Sequence, residues 1–115
     1  MAEAISAADY LDYFAMRREM IARFESRFAG FDGVILPTTL NTPPAIAALA
    51  TDEDYLRFNA MSLRNTYVGN FLNGCAISMP MQEPGSAPCG LMVLAPWGHD
   101  RVLFDTAAGI EATLR

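Results

Sequence analysis

The chain has 115 residues, of which 52% are apolar, and a formal net charge of −5. This length and apolar content fit one domain with its own core, so we expect residues 1–115 to form a single domain. The negative charge argues against a nucleic-acid partner, and no apolar run in the sequence is long enough to span a bilayer.

Residue counts limit the available chemistry. All eight basic residues are arginines, and His99 is the one histidine. Any mechanism that needs a lysine base or two histidines is therefore impossible within this sequence. Cys75, Cys89 and His99 lack a metal-ligand spacing, so we expect no metal. The first residues do not form a signal peptide, which favours a cytoplasmic protein with free thiols.

The first predicted element is an amphipathic helix over about Ala7–Ala29. Ser6 is a suitable N-cap with Asp9 completing a capping box, and Gly30 suits the left-handed conformation that closes a helix. Spacings of three and four predict one broad buried stripe on this helix, and Arg17 is among the charged residues predicted to face solvent. The residues of the stripe are Tyr10, Tyr13, Phe14, Ile21, Phe24 and Phe28.

A strand and a second helix follow. The continuous apolar run Val34–Leu36 predicts a strand buried on both faces, which Pro37 ends. After a loop, Thr51 is a suitable N-cap for a helix that reaches about Phe71. A break near Ser62–Asn65 is possible, which would divide this segment into two helices.

Two further strands and a helix complete the prediction. Cys75–Met79 is predicted to be a strand ended by Pro80, and Leu91–Ala95 another, with a connecting loop compatible with antiparallel pairing. A final helix covers about Asp100–Leu114, and its predicted buried stripe is Leu103, Ala107, Ile110 and Leu114. The fold class is therefore α/β, with a small mixed sheet of about three strands flanked by helices.

Five short motifs follow one another in an order that carries more information than any of them alone. They are an aspartate-led strand ending in Pro-Thr, a helix with an Asn-Thr pair and a later Asn, a strand ending in Pro, a Pro-x-Gly-Leu segment, and an Asp-led helix with a glutamate near its end. In this sequence they are Asp32–Thr38, Asn65–Asn70, Ala76–Pro80, Pro88–Leu91 and Asp100–Glu111. This order resembles the C-terminal portion of the amidase signature family.

The resemblance implies a hydrolase that converts a carboxamide to a carboxylate and ammonia or an amine, without a metal or organic cofactor. In that family the reaction is carried by a lysine, a serine in a cis peptide and a nucleophilic serine, and the lysine and a Gly-Gly-Ser-Ser segment both lie upstream of the portion matched here. This sequence has no lysine and no such segment. The resemblance therefore implies a fragment of the larger α/β fold that has no catalytic residues, is inactive alone, and supports the fold or forms one wall of the substrate pocket.

The resemblance also suggests contacts to substrate. Asn65, Thr66 and Asn70 are candidate substrate-binding residues, because their helix faces the catalytic core in that family. Thr38 is a further candidate because it follows the end of a predicted buried strand, and Arg64 is a candidate clamp for a substrate carboxylate through its planar guanidinium. The alternative is that the threonines and asparagines bond to nearby backbone groups, and that Arg64 forms a surface ion pair.

Two roles for the chain stay open. The chain is either the C-terminal part of an amidase, whose partner is the missing N-terminal amidase portion, or a non-catalytic α/β subunit that self-associates or docks on a larger amidase chain. We expect a homo-oligomer in the absence of that portion, because a sheet built to continue exposes an edge. An unrelated enzyme is disfavoured, because His99 and Asp100 have no serine in a nucleophile elbow to act with.

Overall fold

The computed structural model describes residues 4–114 as three α-helices, one short 3-10 helix and three strands. In chain order the elements are α1 (Ala7–Phe28), β1 (Val34–Pro37), the 3-10 helix (Ile46–Leu49), α2 (Asp52–Phe71), β2 (Cys75–Pro80), β3 (Gly90–Ala95) and α3 (Asp100–Leu114). The predicted α/β fold with three strands is confirmed. None of the helices between residues 4 and 114 is both long and apolar enough to cross a membrane.

The strands are ordered β1-β3-β2, so the last strand in the chain lies in the middle of the sheet. β3 pairs with β1 from Val34↔Leu94 to Pro37↔Leu91, and both ladders of the sheet are antiparallel. The sheet is thus antiparallel throughout rather than mixed as predicted. β1 and β2 do run in the same direction, but β3 lies between them, so the described residues form no parallel ladder.

The main core lies between the sheet and α3. Val93 and Ala95 of β3 are almost completely buried and pack in one cluster with Met79 of β2 and with Leu103 and Ala107 of α3. The predicted stripe of α3 is confirmed for its first three members, because Ile110 is partly buried against the same cluster. Leu114 is 47% exposed, since it lies in the last turn beyond this cluster.

The opposite face of the sheet is approached by α2. A Cβ atom added to Gly69 of α2 would lie 3.2 Å from Cδ1 of Leu94, a residue of β3 that is almost fully buried. The helix is continuous, and the possible break near Ser62–Asn65 does not occur. The Ser62 hydroxyl donates to the Phe58 carbonyl, so the helix tolerates this polar side chain without a break.

The first helix begins as predicted and packs differently. The Ser6 hydroxyl accepts a bond from the Asp9 amide at 3.1 Å, and the Asp9 carboxylate accepts one from the Ser6 amide at 3.0 Å, which completes the capping box. Phe24 is buried, but Tyr10 and Tyr13 are more than half exposed, so the predicted continuous buried stripe is wrong. The core under α3 is complete without the first turns of α1, which leaves those rings at the surface.

The first strand also differs from its prediction. Ile35 is 59% exposed, so β1 is not buried on both faces. Ile35 pairs with Val93 and shares its face of the sheet, but α3 packs on β2 and β3. The helix does not extend over the edge strand, which explains why the same face is buried at Val93 and open at Ile35.

Candidate functional site

Two neighbouring grooves meet at Thr38 and Ser78, near the end of β1. The larger one has a volume of about 620 Å³ and is bounded by the loop after β1, by Ser62 of α2 and by the loop between β2 and β3. The smaller one, of about 310 Å³, lies between β2 and the C-terminal half of α2. Both grooves are lined by Thr38 and Ser78, which therefore form the boundary between them.

The hydroxyls of Thr38 and Ser78 are hydrogen-bonded to each other across the central strand. Thr38 follows β1 and Ser78 belongs to β2, so the pair joins the two edge strands of the sheet. Gly90 of β3 makes this contact possible, because a Cβ atom there would lie 2.6 Å from Thr38 Oγ1 and 2.8 Å from Ser78 Oγ. The amide of Thr38 also donates to the Gly90 carbonyl at 2.8 Å, which extends the ladder beyond Pro37.

The structure brings three of the five predicted site residues to one place. Thr38, Thr66 and Asn70 all line the smaller groove. Asn65 points its amide to the backbone instead, where Nδ2 donates to the Pro37 carbonyl at 2.6 Å. Arg64 is exposed and lines neither groove. The substrate-binding role of these residues stays a prediction.

Some of the five predicted site residues bond to backbone carbonyls, which is the alternative to substrate binding that the sequence left open. Thr66 Oγ1 donates to the Leu63 carbonyl at 2.9 Å, within its own helix. The bond from Asn65 ties α2 to the end of β1, so it fixes the position of Thr38 one residue later. The Thr39 hydroxyl bonds to the Asn41 carbonyl and shapes the loop that follows. These bonds hold the walls of the grooves in place.

Sequence reasoning missed Ser78, Asn41 and Ser62. The proton that the Ser62 hydroxyl donates to the Phe58 carbonyl at 2.9 Å is shared with Asn41 Oδ1 at 3.1 Å, and this three-centre bond fastens the loop after β1 to α2 in the larger groove. Ser78 alternates in β2 with the buried Met79 and therefore had to face away from α3, a signal present in the sequence. No local signal connects Asn41 with Ser62, because their contact depends on how the loop folds back.

Arg17 was also missed, because it was predicted to face solvent. It is half-buried, and its Nε and Nη2 donate to the carbonyls of Phe71 at 2.8 Å and Asn70 at 3.3 Å. Its guanidinium lies 5.8 Å from the centre of the Phe71 ring. The last carbonyls of a helix lack helical partners and carry partial negative charge, so a cation there is favourable. Arg17 thus joins α1 to the end of α2 that lines the smaller groove.

The two carboxyl groups whose pKa departs from the ordinary value, Asp9 and Asp54, lie at helix starts and not in the grooves. The Ser6 hydroxyl and amide bond to Asp9 and lower its pKa below the usual value. The Thr51 hydroxyl, followed by Arg57, lowers the pKa of Asp54 in the same way. Among residues 4–114 no group of three or more potential ligands could hold a metal ion.

Cys75 and Cys89 are both free, but they are not both buried. Cys75 is half-buried and its thiol lies 3.2 Å from the Pro96 carbonyl, whereas Cys89 is exposed in the larger groove. Within the described part of the chain, no cation or carboxylate lines either groove, so neither thiol nor hydroxyl there has a charged partner that would activate it.

Comparisons with known proteins agree with the order of motifs. A family model described as Amidase matches residues 1–104. The 2-amino-5-chloromuconic acid deaminase of Comamonas testosteroni is 32% identical over 114 residues, which cover 98% of this chain and 25% of that protein. A glutamyl-tRNA(Gln) amidotransferase subunit of Thermus thermophilus is 36% identical over 118 residues, which cover 96% and 24%.

A solved structure shares the fold. The corresponding glutamyl-tRNA(Gln) amidotransferase subunit of Thermotoga maritima superimposes with a TM-score of 0.65 at 24% identity, covering 90% of this chain and 23% of that one. The chain thus spans about a quarter of the length of these relatives.

Proposed function

The chain belongs to the amidase family, and we propose that it acts as a non-catalytic part of an amidase-type hydrolase. The reaction is the conversion of a carboxamide to a carboxylate and ammonia or an amine. In this proposal the chain forms one wall of the substrate pocket through the two grooves, and the catalytic groups come from another portion of an amidase-family chain. The chain alone is inactive.

The exposed apolar surface of the helices carries this proposal. On α1, Leu11 is 68% exposed and Tyr10 is 56% exposed, and on α2 the corresponding value for Leu56 is 62%. On α1 the exposed rings of Tyr10 and Phe14 also contact each other, with 4.8 Å between their centroids, and apolar surface of this kind favours a contact with another protein surface. An amidase portion that covers α1 would also be adjacent to the smaller groove, since Arg17 links α1 to the end of α2.

The chemistry of the grooves favours a non-catalytic role. The sequence contains no lysine and no Gly-Gly-Ser-Ser segment. Ser78 bonds to Thr38, a neutral hydroxyl that cannot serve as the general base a serine nucleophile requires. Hydroxyl and amide groups fixed by their neighbours can orient a bound amide, which is the contribution expected of a pocket wall.

An add-back experiment tests this function. The purified chain should release no ammonia from carboxamides and should not be labelled by a serine-directed fluorophosphonate. Mixed with an amidase-family chain that lacks its C-terminal quarter, it should restore hydrolysis. Turnover by the chain alone, or failure to restore activity despite a stable complex, would contradict the proposal.

Self-association is the second candidate, and the same exposed surface of α1 favours it. As a separate cytoplasmic subunit, the chain would bury that surface in a homo-oligomer or against a larger amidase chain. Size-exclusion chromatography with light scattering distinguishes these states. A stable monomer that also does not bind the truncated amidase chain would exclude both the homo-oligomer and the complex with a larger amidase chain.

A further inference from the structure

We propose that the two grooves beside the Thr38–Ser78 pair accept the acyl part of a carboxamide that carries no charge. This inference rests on the proposed function, because it names the substrate class of the same site. Charged residues make up 18% of the chain, yet none of the described residues that line either groove is charged. The uncharged lining extends through both grooves, on each side of the hydroxyl pair.

Most of the groups that line the larger groove are of two kinds, and Met79, Cys89 and Gly90 complete the lining. Hydroxyls and side-chain amides supply hydrogen-bond donors and acceptors without charge, and prolines supply rigid apolar walls. The polar set is Thr38, Thr39, Asn41, Ser62, Ser78 and Gln82, and the prolines are Pro43, Pro44, Pro80 and Pro88. Hydroxyl and amide groups both donate and accept, so they match an amide or a hydroxyl of a ligand equally well.

A charged acyl group would be poorly accommodated by the same walls. An ionised carboxylate that enters the groove loses water and finds no cation among the described lining residues, which disfavours its binding. Arg64, the cation that the sequence suggested for this purpose, is exposed and lines neither groove. The structure therefore favours an uncharged ligand over the carboxylate that Arg64 was predicted to bind.

The polar groups are also held in position before a ligand arrives. The Thr38–Ser78 bond crosses the sheet above Gly90, and the Ser62–Asn41 bond at 3.1 Å joins α2 to the loop after β1. Groups fixed in this way lose little freedom when they bind, which favours ligands that match them. The loop after β1, α2, β2 and β3 meet here and together define one uncharged surface.

Succinamide and succinamate test the inference, because they have nearly the same shape and differ in charge. Each is titrated into the ¹⁵N-labelled chain at neutral pH, and the amide signals of Ser78 and Gly90 are followed. We expect succinamide to shift these signals with a dissociation constant about tenfold lower than that of succinamate. Equal affinities, or no shift with succinamide, would overturn the inference.

A matched pair of variants sharpens the test. Gln82→Arg places a cation in the larger groove, and Ser86→Arg adds the same charge in the same loop outside both grooves. Gln82→Arg should reduce or reverse the preference for succinamide, and Ser86→Arg should leave it unchanged. Identical behaviour of the two variants would count against the groove as the binding site. Intact succinamide binding with failed add-back of hydrolysis would instead refute the proposed function alone.

Discussion

Replacing Gly90 by alanine should break the contact that joins the two edge strands. The new Cβ atom would lie 2.6 Å from Thr38 Oγ1, 2.8 Å from Ser78 Oγ and 3.0 Å from Thr38 Cβ, so both hydroxyls must move. Overpacking costs about 1–3 kcal/mol and a lost hydrogen bond about 0.5–1.5 kcal/mol. One movement relieves part of both, and alanine is favoured over glycine in a strand by about 0.5–1 kcal/mol, so we expect a loss of roughly 1–3 kcal/mol in the free energy of unfolding.

Urea unfolding followed by circular dichroism measures this loss. The midpoint should fall while the slope of free energy against urea stays the same, since the folded body keeps its size. Gly109→Ala is the control, because Gly109 lies in α3 and a Cβ atom there has no neighbour within 4 Å. That change should stabilise the chain by about 0.5–1 kcal/mol through helix propensity.

A double-mutant cycle identifies the cause. Thr38→Ala removes the hydroxyl that the new Cβ atom approaches most closely, so Gly90→Ala should cost less in that background than in the wild-type chain. Equal costs in the two backgrounds would show that Thr38 does not lie above Gly90. A neutral Gly90→Ala would refute the close approach itself.

Three further predictions address the helices and the thiols. Arg17→Met should lower the free energy of unfolding by about 1–2 kcal/mol, measured in urea, because two carbonyls of α2 lose their donor. Hydrogen bonds in the folded chain lower the pKa of Asp9 and of Asp54, so both carboxylates stabilise their helix starts at pH values above the ordinary carboxyl pKa. This stabilisation should be lost as the pH falls through the pKa values of the folded chain. NMR titration should place both pKa values below about 3.8. Cys89 should react with a disulfide reagent about tenfold faster than Cys75, which is half-buried.

Each of these predictions has a contradicting result. An Arg17→Met chain as stable as the wild type would show that solvent replaces the two bonds to α2. Carboxyl pKa values at or above the ordinary value would mean that the capping bonds do not persist in solution. Equal thiol reactivity would show that the bond to the Pro96 carbonyl gives Cys75 no protection.

Local chemistry made the helix and strand positions predictable. The capping box at Ser6 and Asp9 determines the start of α1 through bonds within four residues, and Thr51 does the same for α2. Pro80 appears as the last residue of β2, close to the predicted end. These signals require no knowledge of which elements meet.

Burial could not be predicted in the same way. Periodicity correctly gives the face of Leu103 and Ala107 in α3, where the sheet lies beneath that face. The same reasoning fails for Tyr10 in α1 and for Ile35 in β1, because no layer covers those positions in the described chain. Periodicity identifies a face, and only the tertiary arrangement determines whether that face is covered.

The candidate site depends on contacts that are distant in sequence. Thr38 was predicted from the end of a strand, and its partner Ser78 is forty residues away on the opposite edge of the sheet. Their meeting follows from the order β1-β3-β2 and from the missing side chain at Gly90. Neither feature leaves a local pattern in the sequence, which is why reasoning from motifs found one member of the pair and missed the other.

The central position of β3 also determines when the sheet can form. β1 and β2 have no ladder with each other in the described chain, so neither strand has a partner until Gly90–Ala95 has left the ribosome. Pairing of Val34 with Leu94 closes a loop of roughly sixty residues, and non-local closures of this kind slow folding. A nascent chain that ends before β3 therefore exposes two unpaired strands together with the apolar side of α1, which makes it a target for aggregation and for chaperones.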